Sequence, residues 1–179
     1  MEATLSESRP RPPWWQVIAV GRNPRVTTVR LLVLVVLTVV TFHGAFYPIQ
    51  VTGISMTPTY KDGERRWISP LLTRFQGLHR GDVVAIRTSG LEVLYLKRII
   101  GLPGERIRIV RGEVHVNGEP LSEPYVAPNR FRWNWPTNGS DRLLGAEEYL
   151  VIGDNRSMPA NAHYFGVADR DRIVGKLVR

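Results

Sequence analysis

The sequence predicts a mostly β domain carried behind a single N-terminal apolar helix. Three observations predict it. Residues 31–50 read LLVLVVLTVVTFHGAFYPIQ, and no formally charged residue lies between Arg30 and Lys61. Beyond Tyr47, short apolar runs such as DVVAIRT, LEVLYLKRII, ERIRIV and EEYLVIGDN alternate with Gly, Pro, Asn and Asp turns, which is strand patterning. After the long apolar run no convincing helical period appears, and nothing repeats at intervals of about 20 to 50 residues.

The elements follow in chain order. Residues 1–25 carry Pro10, Pro12, Pro13 and Pro24, scattered arginines and the pair Trp14-Trp15, and read as an extended Pro/Arg-rich tail. The two tryptophans suit a membrane interface as well as they suit a loose tail. Residues 26–47 supply roughly 20 mostly apolar residues, the length a helix needs to cross about 30 Å of hydrocarbon. A core helix or buried strand in so small a protein would not need such a run. His43 falls near the far end, at the expected interface. The apolar part exceeds the roughly 7 to 15 residues of a cleaved export signal, and no small-x-small site follows it, so an uncleaved signal-anchor is predicted. Arginines precede the run and none follow until Arg65. The positive-inside rule then places the N-terminus in the cytoplasm and residues 48–179 on the outer face of the plasma membrane, after a single pass. In this outer domain RGEVHVNGEPL reads as a hairpin turning at Asn117-Gly118, with Val114 and Val116 on one face. Residues 125–145 are polar and turn-rich, and read as a surface loop or inserted hairpin.

Composition bounds the chemistry. The 179 residues suffice for one compact domain and an appendage. There is no cysteine, which removes disulfides, a thiol nucleophile and any Cys-based zinc site. The net charge of +8 is compatible with nucleic acid or an anionic membrane, but the basic excess is spread over both parts of the chain. No metal motif, Walker loop or dinucleotide spacing is present, so no metal or other cofactor is implied. The stretch NRFRWNW mixes basic and aromatic residues as nucleic-acid surfaces do; on an outward-facing domain no nucleic-acid partner is expected.

Covalent catalysis would therefore fall to oxygen or nitrogen. Ser55, in VTGISMTPTY just after the apolar run, is the conspicuous hydroxyl. Histidine is the usual base for a serine, yet His79 lies in a turn, His115 alternates with valines, and only His163 sits among polar residues. Lys97 is the alternative. In VLYLKRII, period-two alternation puts Val93, Tyr95 and Lys97 on one face and Leu94, Leu96 and Arg98 on the other. This fits a snorkelling lysine at a strand end or a desolvated one. Desolvation would favour the neutral amine: moving the pKa from about 10.4 to about 8 takes roughly 3 kcal/mol, and a neutral lysine can accept a serine proton.

In order along the outer domain, these residues resemble the type I signal peptidases, membrane-anchored serine proteases with a serine-lysine dyad. GISMTPTY resembles the family's nucleophile box, RGDVVAIR its Arg-Gly-Asp strand, and YLKRIIGLPGE its general-base box. VNGEPLSEPYV resembles the segment that follows, and VIGDNR, YFG and IVGK the last box. The resemblance implies a signal-peptidase-like β fold, Ser55 as nucleophile, Lys97 as general base and the Ser55 N–H as an oxyanion donor. A serine that supplies a second donor in some relatives is Gly53 here. It also implies that Met56, Tyr60, Tyr95 and Leu96 line shallow pockets, giving cleavage after Ala-x-Ala-like sites, and that Gly153, Asp154, Asn155 and Arg156 support the site. Signal peptides of exported preproteins and the lipid bilayer are the implied partners, with the protein a monomer. The chain departs from the family where a serine, an aspartate and an arginine are usual: Pro159, Asn161 and His163 stand there. Two alternatives accompany this reading. One is a related processing peptidase of organellar or plasmid-transfer type; the other is a β domain for binding or assembly whose catalysis has weakened.

Overall fold

The computed structural model describes residues 23–87, 94–128, 141–158 and 166–178. Trp14-Trp15, Val93, most of the 125–145 segment, Pro159, Asn161, His163 and the side chain of His43 lie outside the described residues. The chain forms two compact units, divided between Gly44 and Ala45.

Helix α1, Pro24–Ala45, belongs to the first unit except for its last residue. The Asn23 side chain accepts from the Arg25 N–H at 3.2 Å, and Pro24 opens the helix where its missing N–H costs nothing. Thr38 satisfies its hydroxyl internally, donating to the Leu34 carbonyl at 2.8 Å. Within it Arg25–Phe42 is long and apolar enough to cross a membrane, and Leu31, Leu32, Val40 and Phe42 are all exposed.

The second unit is mostly β, as the alternation predicts. Its larger sheet has seven strands: β1 Tyr47–Gln50, β2 Arg65–Ser69, β3 Val83–Arg87, β4 Leu94–Gly101, β9 Glu148–Ile152, β10 Val167–Asp169 and β11 Ile173–Leu177. Their order is β1-β2-β11-β3-β4-β9-β10, each pair antiparallel. The smaller sheet, in the order β7-β6-β5-β8, uses β5 Arg106–Val110, β6 Glu113–Val116, β7 Glu119–Pro120 and β8 Arg142–Leu143. The predicted hairpin turns where expected. Asn117 (φ 53°) and Gly118 (φ 93°) are both left-handed, the pair of conformations a tight two-residue hairpin loop requires.

Strand β3 sits between β11 and β4, and the sheet buries both of its faces. Val83, Ala85 and Leu96 join Val51, Met56, Ile68 and Leu177 on one side; Val84, Ile86 and Ile99 join Val151, Ala168 and Ile173 on the other. A third cluster, Ile100, Ile107, Ile109, Val114, Leu144, Leu150 and Ile152, joins the two sheets.

The absence of a helical period after α1 is corrected at Pro70–Gln76, a seven-residue helix, α2. Two turns are too short to display a period, and its signal is the cap. The Ser69 hydroxyl accepts from the Leu72 N–H at 3.2 Å, and Pro70 sets the first φ. A 3-10 turn also occurs at Arg170–Arg172. Gly175, at the irregular register between β11 and β3, lets α2 start against β11: a Cβ there would lie 2.9 Å from both Pro70 N and the Ser69 carbonyl carbon. Backbone on the far side cannot yield as a side chain can. Gly175→Ala is therefore expected to cost roughly 1–3 kcal/mol, read as a lower thermal midpoint; an unchanged midpoint would show that the contact is soft.

Candidate active site

A groove of about 260 Å³ opens beside the β1 and β4 edges of the large sheet. The strand pairing leaves room for such a groove: β9 pairs with β4 from Arg98 onward, and Leu94–Lys97 have no β9 residue opposite them. The groove is lined by Ile49, Gln50, Val51 and Thr52 from β1 and its continuation, by Ser55 and Met56, by Ala85 of β3, and by Leu94, Tyr95 and Leu96 of β4. Of the pocket residues expected from sequence, Met56, Tyr95 and Leu96 line it. Tyr60 does not; it packs against the cluster that contains Met56, and the Arg66 guanidinium lies 5.2 Å from its ring centroid. The β1 contributors, Ala85 and Leu94 were not singled out by sequence. Lining positions contributed by an edge strand carry no signal beyond ordinary alternation.

Ser55 is half-buried in the loop between β1 and β2. Several contacts fix its backbone. Gly53 (φ 87°) donates its N–H to Asp62 Oδ1 at 2.7 Å, the Thr57 N–H donates to the Ile54 carbonyl at 3.1 Å, and the Tyr60 N–H to the Met56 carbonyl at 3.0 Å. The Thr57–Pro58 bond is cis. From across the chain, the Asn155 N–H donates to the Ser55 carbonyl and Asn155 Nδ2 donates to the Ile54 carbonyl, both at 3.0 Å. Among the described residues no acceptor takes the Ser55 N–H. Gly53 answers the missing serine donor in conformational terms: its positive φ would strain any other residue, and its own N–H is already committed to Asp62.

Three lysines lie in this unit, and their surroundings separate them. Lys61 is exposed. Lys176 is buried, but its ammonium is paired with Asp82 Oδ2 at 2.7 Å. Lys97, directly after the lining residues Tyr95 and Leu96, is 2% exposed and makes no salt bridge among the described residues. Burial in the sheet pushes its pKa down to about 8, against the opposing pull of the Asp154 carboxylate. That carboxylate cannot serve Lys97 fully. It is held by Arg98, which donates from Nε to Oδ1 at 2.8 Å and from Nη2 to Oδ2 at 2.6 Å, and it also accepts the Thr59 hydroxyl at 2.5 Å. The remaining Arg98 nitrogen donates to the Gly81 carbonyl at 2.7 Å. Of the two readings open for Lys97, snorkelling or desolvated, burial on both faces of β4 gives the desolvated one.

The supporting residues Gly153, Asp154, Asn155 and Arg156 form one turn after β9. Gly153, Asp154 and Arg156 are buried and Asn155 is half-buried. None lines the groove; among the described residues Asn155 alone of the four bonds to a residue that does, through the Ser55 carbonyl. Ser157, exposed, donates its hydroxyl to Asn155 Oδ1 at 2.5 Å. Neither histidine described in this unit offers a base: His79 is an exposed turn residue 3.7 Å from Asp82, and His115 belongs to β6, in the other sheet. Among the described residues no three His, Cys, Asp or Glu side chains gather as a metal site.

Comparison with known proteins identifies the family. The family model described as signal peptidase, peptidase S26, matches residues 25–179. A probable signal peptidase I-2 of Synechocystis sp. is 34% identical over 129 residues, which is 68% of this chain and 56% of that protein. Signal peptidase IB of Staphylococcus aureus is 33% identical over 143 residues, 73% of this chain and 74% of that protein. A crystal structure of a signal peptidase I from Enterococcus faecalis V583 superposes with a TM-score of 0.46 at 26% identity, covering 56% of this chain and 97% of that one. The chain thus spans little more than half of one of these relatives and about three quarters of another. With a matched region that takes in nearly all of α1, the loop that carries Ser55, β4 and the turn after β9, the chain belongs to the peptidase S26 family of signal peptidases.

Proposed function

We propose that the protein is a membrane-anchored serine endopeptidase that removes N-terminal signal peptides from exported preproteins after small-x-small sites, with Ser55 as nucleophile and Lys97 as general base. The observation that carries the proposal is Lys97: a buried lysine without a salt bridge among the described residues, next in sequence to two residues of the groove that holds Ser55. With a pKa of about 8, roughly a tenth of it is neutral at pH 7, against about one part in three thousand for an ordinary lysine. The neutral amine takes the Ser55 Oγ proton as oxygen attacks the scissile carbonyl. The Ser55 N–H faces the developing oxyanion. Collapse expels the new N-terminal amine, which receives its proton from the Lys97 ammonium, and water then releases the signal peptide with Lys97 again acting as base.

Substrate choice follows from the groove. An extended peptide can lie in the groove along Leu94–Leu96 of β4, its alternate side chains directed at Met56, Ala85 and Leu96, which are already packed into the core. Small residues fit over such a floor and large ones do not. Helix α1 would be the anchor, with the arginines before it on the cytoplasmic side and the β unit on the outer face of the plasma membrane.

The test is turnover of a peptide carrying an Ala-x-Ala site by the purified full chain in detergent, measured against pH. kcat/KM is expected to rise about tenfold per unit below pH 8 and to level off above it, because only the deprotonated lysine is competent. Cleavage should be lost when either alanine becomes Phe. Binding of the peptide without turnover at any pH would instead favour a binding or assembly domain.

A further inference from the structure

The segment after β7 reaches back to the turn that follows β9. Glu123 is the partner of Arg156: both of its carboxylate oxygens accept from the guanidinium, Nη1 at 2.8 Å, and both side chains are 4% exposed. Arg156 Nε donates to the Gly153 carbonyl at 3.1 Å, which closes the turn on itself. Tyr125 donates its hydroxyl to Glu123 Oε1 at 2.9 Å, and the Arg98 guanidinium lies 4.1 Å from its ring centroid. Burial, then the neighbouring Glu123 carboxylate, raises the Tyr125 pKa, so the hydroxyl keeps its proton and stays a donor.

These contacts form a closed ring: Glu123 to Arg156, Arg156 to the Gly153–Asp154 turn, Asp154 to Arg98, Arg98 to Tyr125, and Tyr125 back to Glu123. The turn that the ring encloses does two things at the site. Asn155 holds the Ile54 and Ser55 carbonyls, and Asp154 is the anion whose field reaches Lys97. We propose that Glu123 and Tyr125 are positioning residues: they clamp the Gly153–Arg156 turn, and through it set both the placement of the Ser55 backbone and the protonation of Lys97. The inference rests on the serine-lysine reading above.

The direction of the effect can be fixed in advance. The charged or titratable groups on β4, on the strands paired with it and on the turn after β9 are Tyr95 and Arg98 of β4 itself, Arg87 at the end of β3, Glu148 and Tyr149 toward the start of β9, and Asp154 and Arg156 of the turn. Of these the Asp154 carboxylate favours the Lys97 ammonium. Removing the Glu123 charge releases Arg156 and loosens the turn that holds Asp154, so the acid limb of the pH profile should move to lower pH.

Glu123→Gln is expected to lower kcat about tenfold or more with KM within about twofold, and to move that limb down by roughly half a pH unit. Because the single variant strands a buried cation and can cost folding, the decisive partner is Glu123→Met with Arg156→Met, which removes both charges at similar volume. If the pair merely supports the fold, this double variant regains wild-type kcat. If it positions the site, the double variant melts normally and kcat stays low. Wild-type kcat in the folded double variant, or an acid limb unmoved in Glu123→Gln, overturns the proposal. Full activity of Ser55→Ala would instead remove the dyad on which it rests, so the two failures are distinguishable.

Discussion

Ser55→Ala is expected to lower kcat for an Ala-x-Ala peptide by on the order of 10⁴-fold or more, and Lys97→Met by a similar factor. The two act on one proton transfer, so the double variant should be no worse than either single one; additive losses would argue against a dyad. Lys97 also permits a stability control that a purely structural residue would not pass. It is a buried cation without a salt bridge among the described residues, and holding its pKa near 8 corresponds to about 3 kcal/mol against the charged form. Methionine of similar length relieves that penalty, so Lys97→Met should melt at or above the wild-type midpoint while losing catalysis. Turnover close to wild type in either single variant would sink the assignment.

The contrast between Lys97 and Arg98 shows what the sequence made legible. Alternation in VLYLKRII puts these neighbours on opposite faces, and pairing with β3 agrees: Lys97 is opposite Val84, whose core cluster lies on one face, and Arg98 is opposite Val83, whose cluster lies on the other. What alternation cannot tell is which face is wet. β4 is covered on both sides, so its residues from Leu96 to Gly101 are all buried and the period-two pattern carries no inside or outside sense. The supporting ion pairs were illegible for another reason. Arg98 and Asp154 are far apart in sequence, as are Glu123 and Arg156; the pairing of β9 with β4 brings Asp154 to Arg98, and the return of the segment after β7 to the turn after β9 brings Glu123 to Arg156. Local chemistry, by contrast, was readable at the Asn117-Gly118 turn, which states its conformation within two residues. Helix α2 was not readable by period, because two turns carry none; its one sequence mark is the Ser69-Pro70 start.

Asp154→Ala is expected to be the most damaging single change to stability in the turn after β9. Asp154 is fully covered, its side chain 0% exposed, and Arg98 is 8% exposed, so solvent cannot replace either partner. Truncation leaves the Arg98 guanidinium buried beside the Tyr125 ring with only the Gly81 carbonyl for company, and the Thr59 hydroxyl without its acceptor. Breaking a buried pair from one side costs about 3–5 kcal/mol, a large share of the stability of a domain this size and roughly 10–20 °C of thermal midpoint. The same change removes the anion that favours the Lys97 ammonium and leaves a cation near it. In whatever fraction remains folded, the acid limb of kcat/KM should therefore fall below pH 8. Asp154→Asn helps to separate the two effects, because it keeps the shape and one acceptor oxygen, while it discards the charge and sets an NH2 donor where the second oxygen accepted. It should recover part of the midpoint and none of the pH shift. A double variant, Asp154→Leu with Arg98→Met, should recover more of the midpoint still, since an apolar pair carries no desolvation debt. If Asp154→Ala melts within a degree or two of the wild type, the Arg98 guanidinium reaches water, and the pair is not the buried tie between β4 and the nucleophile loop described above.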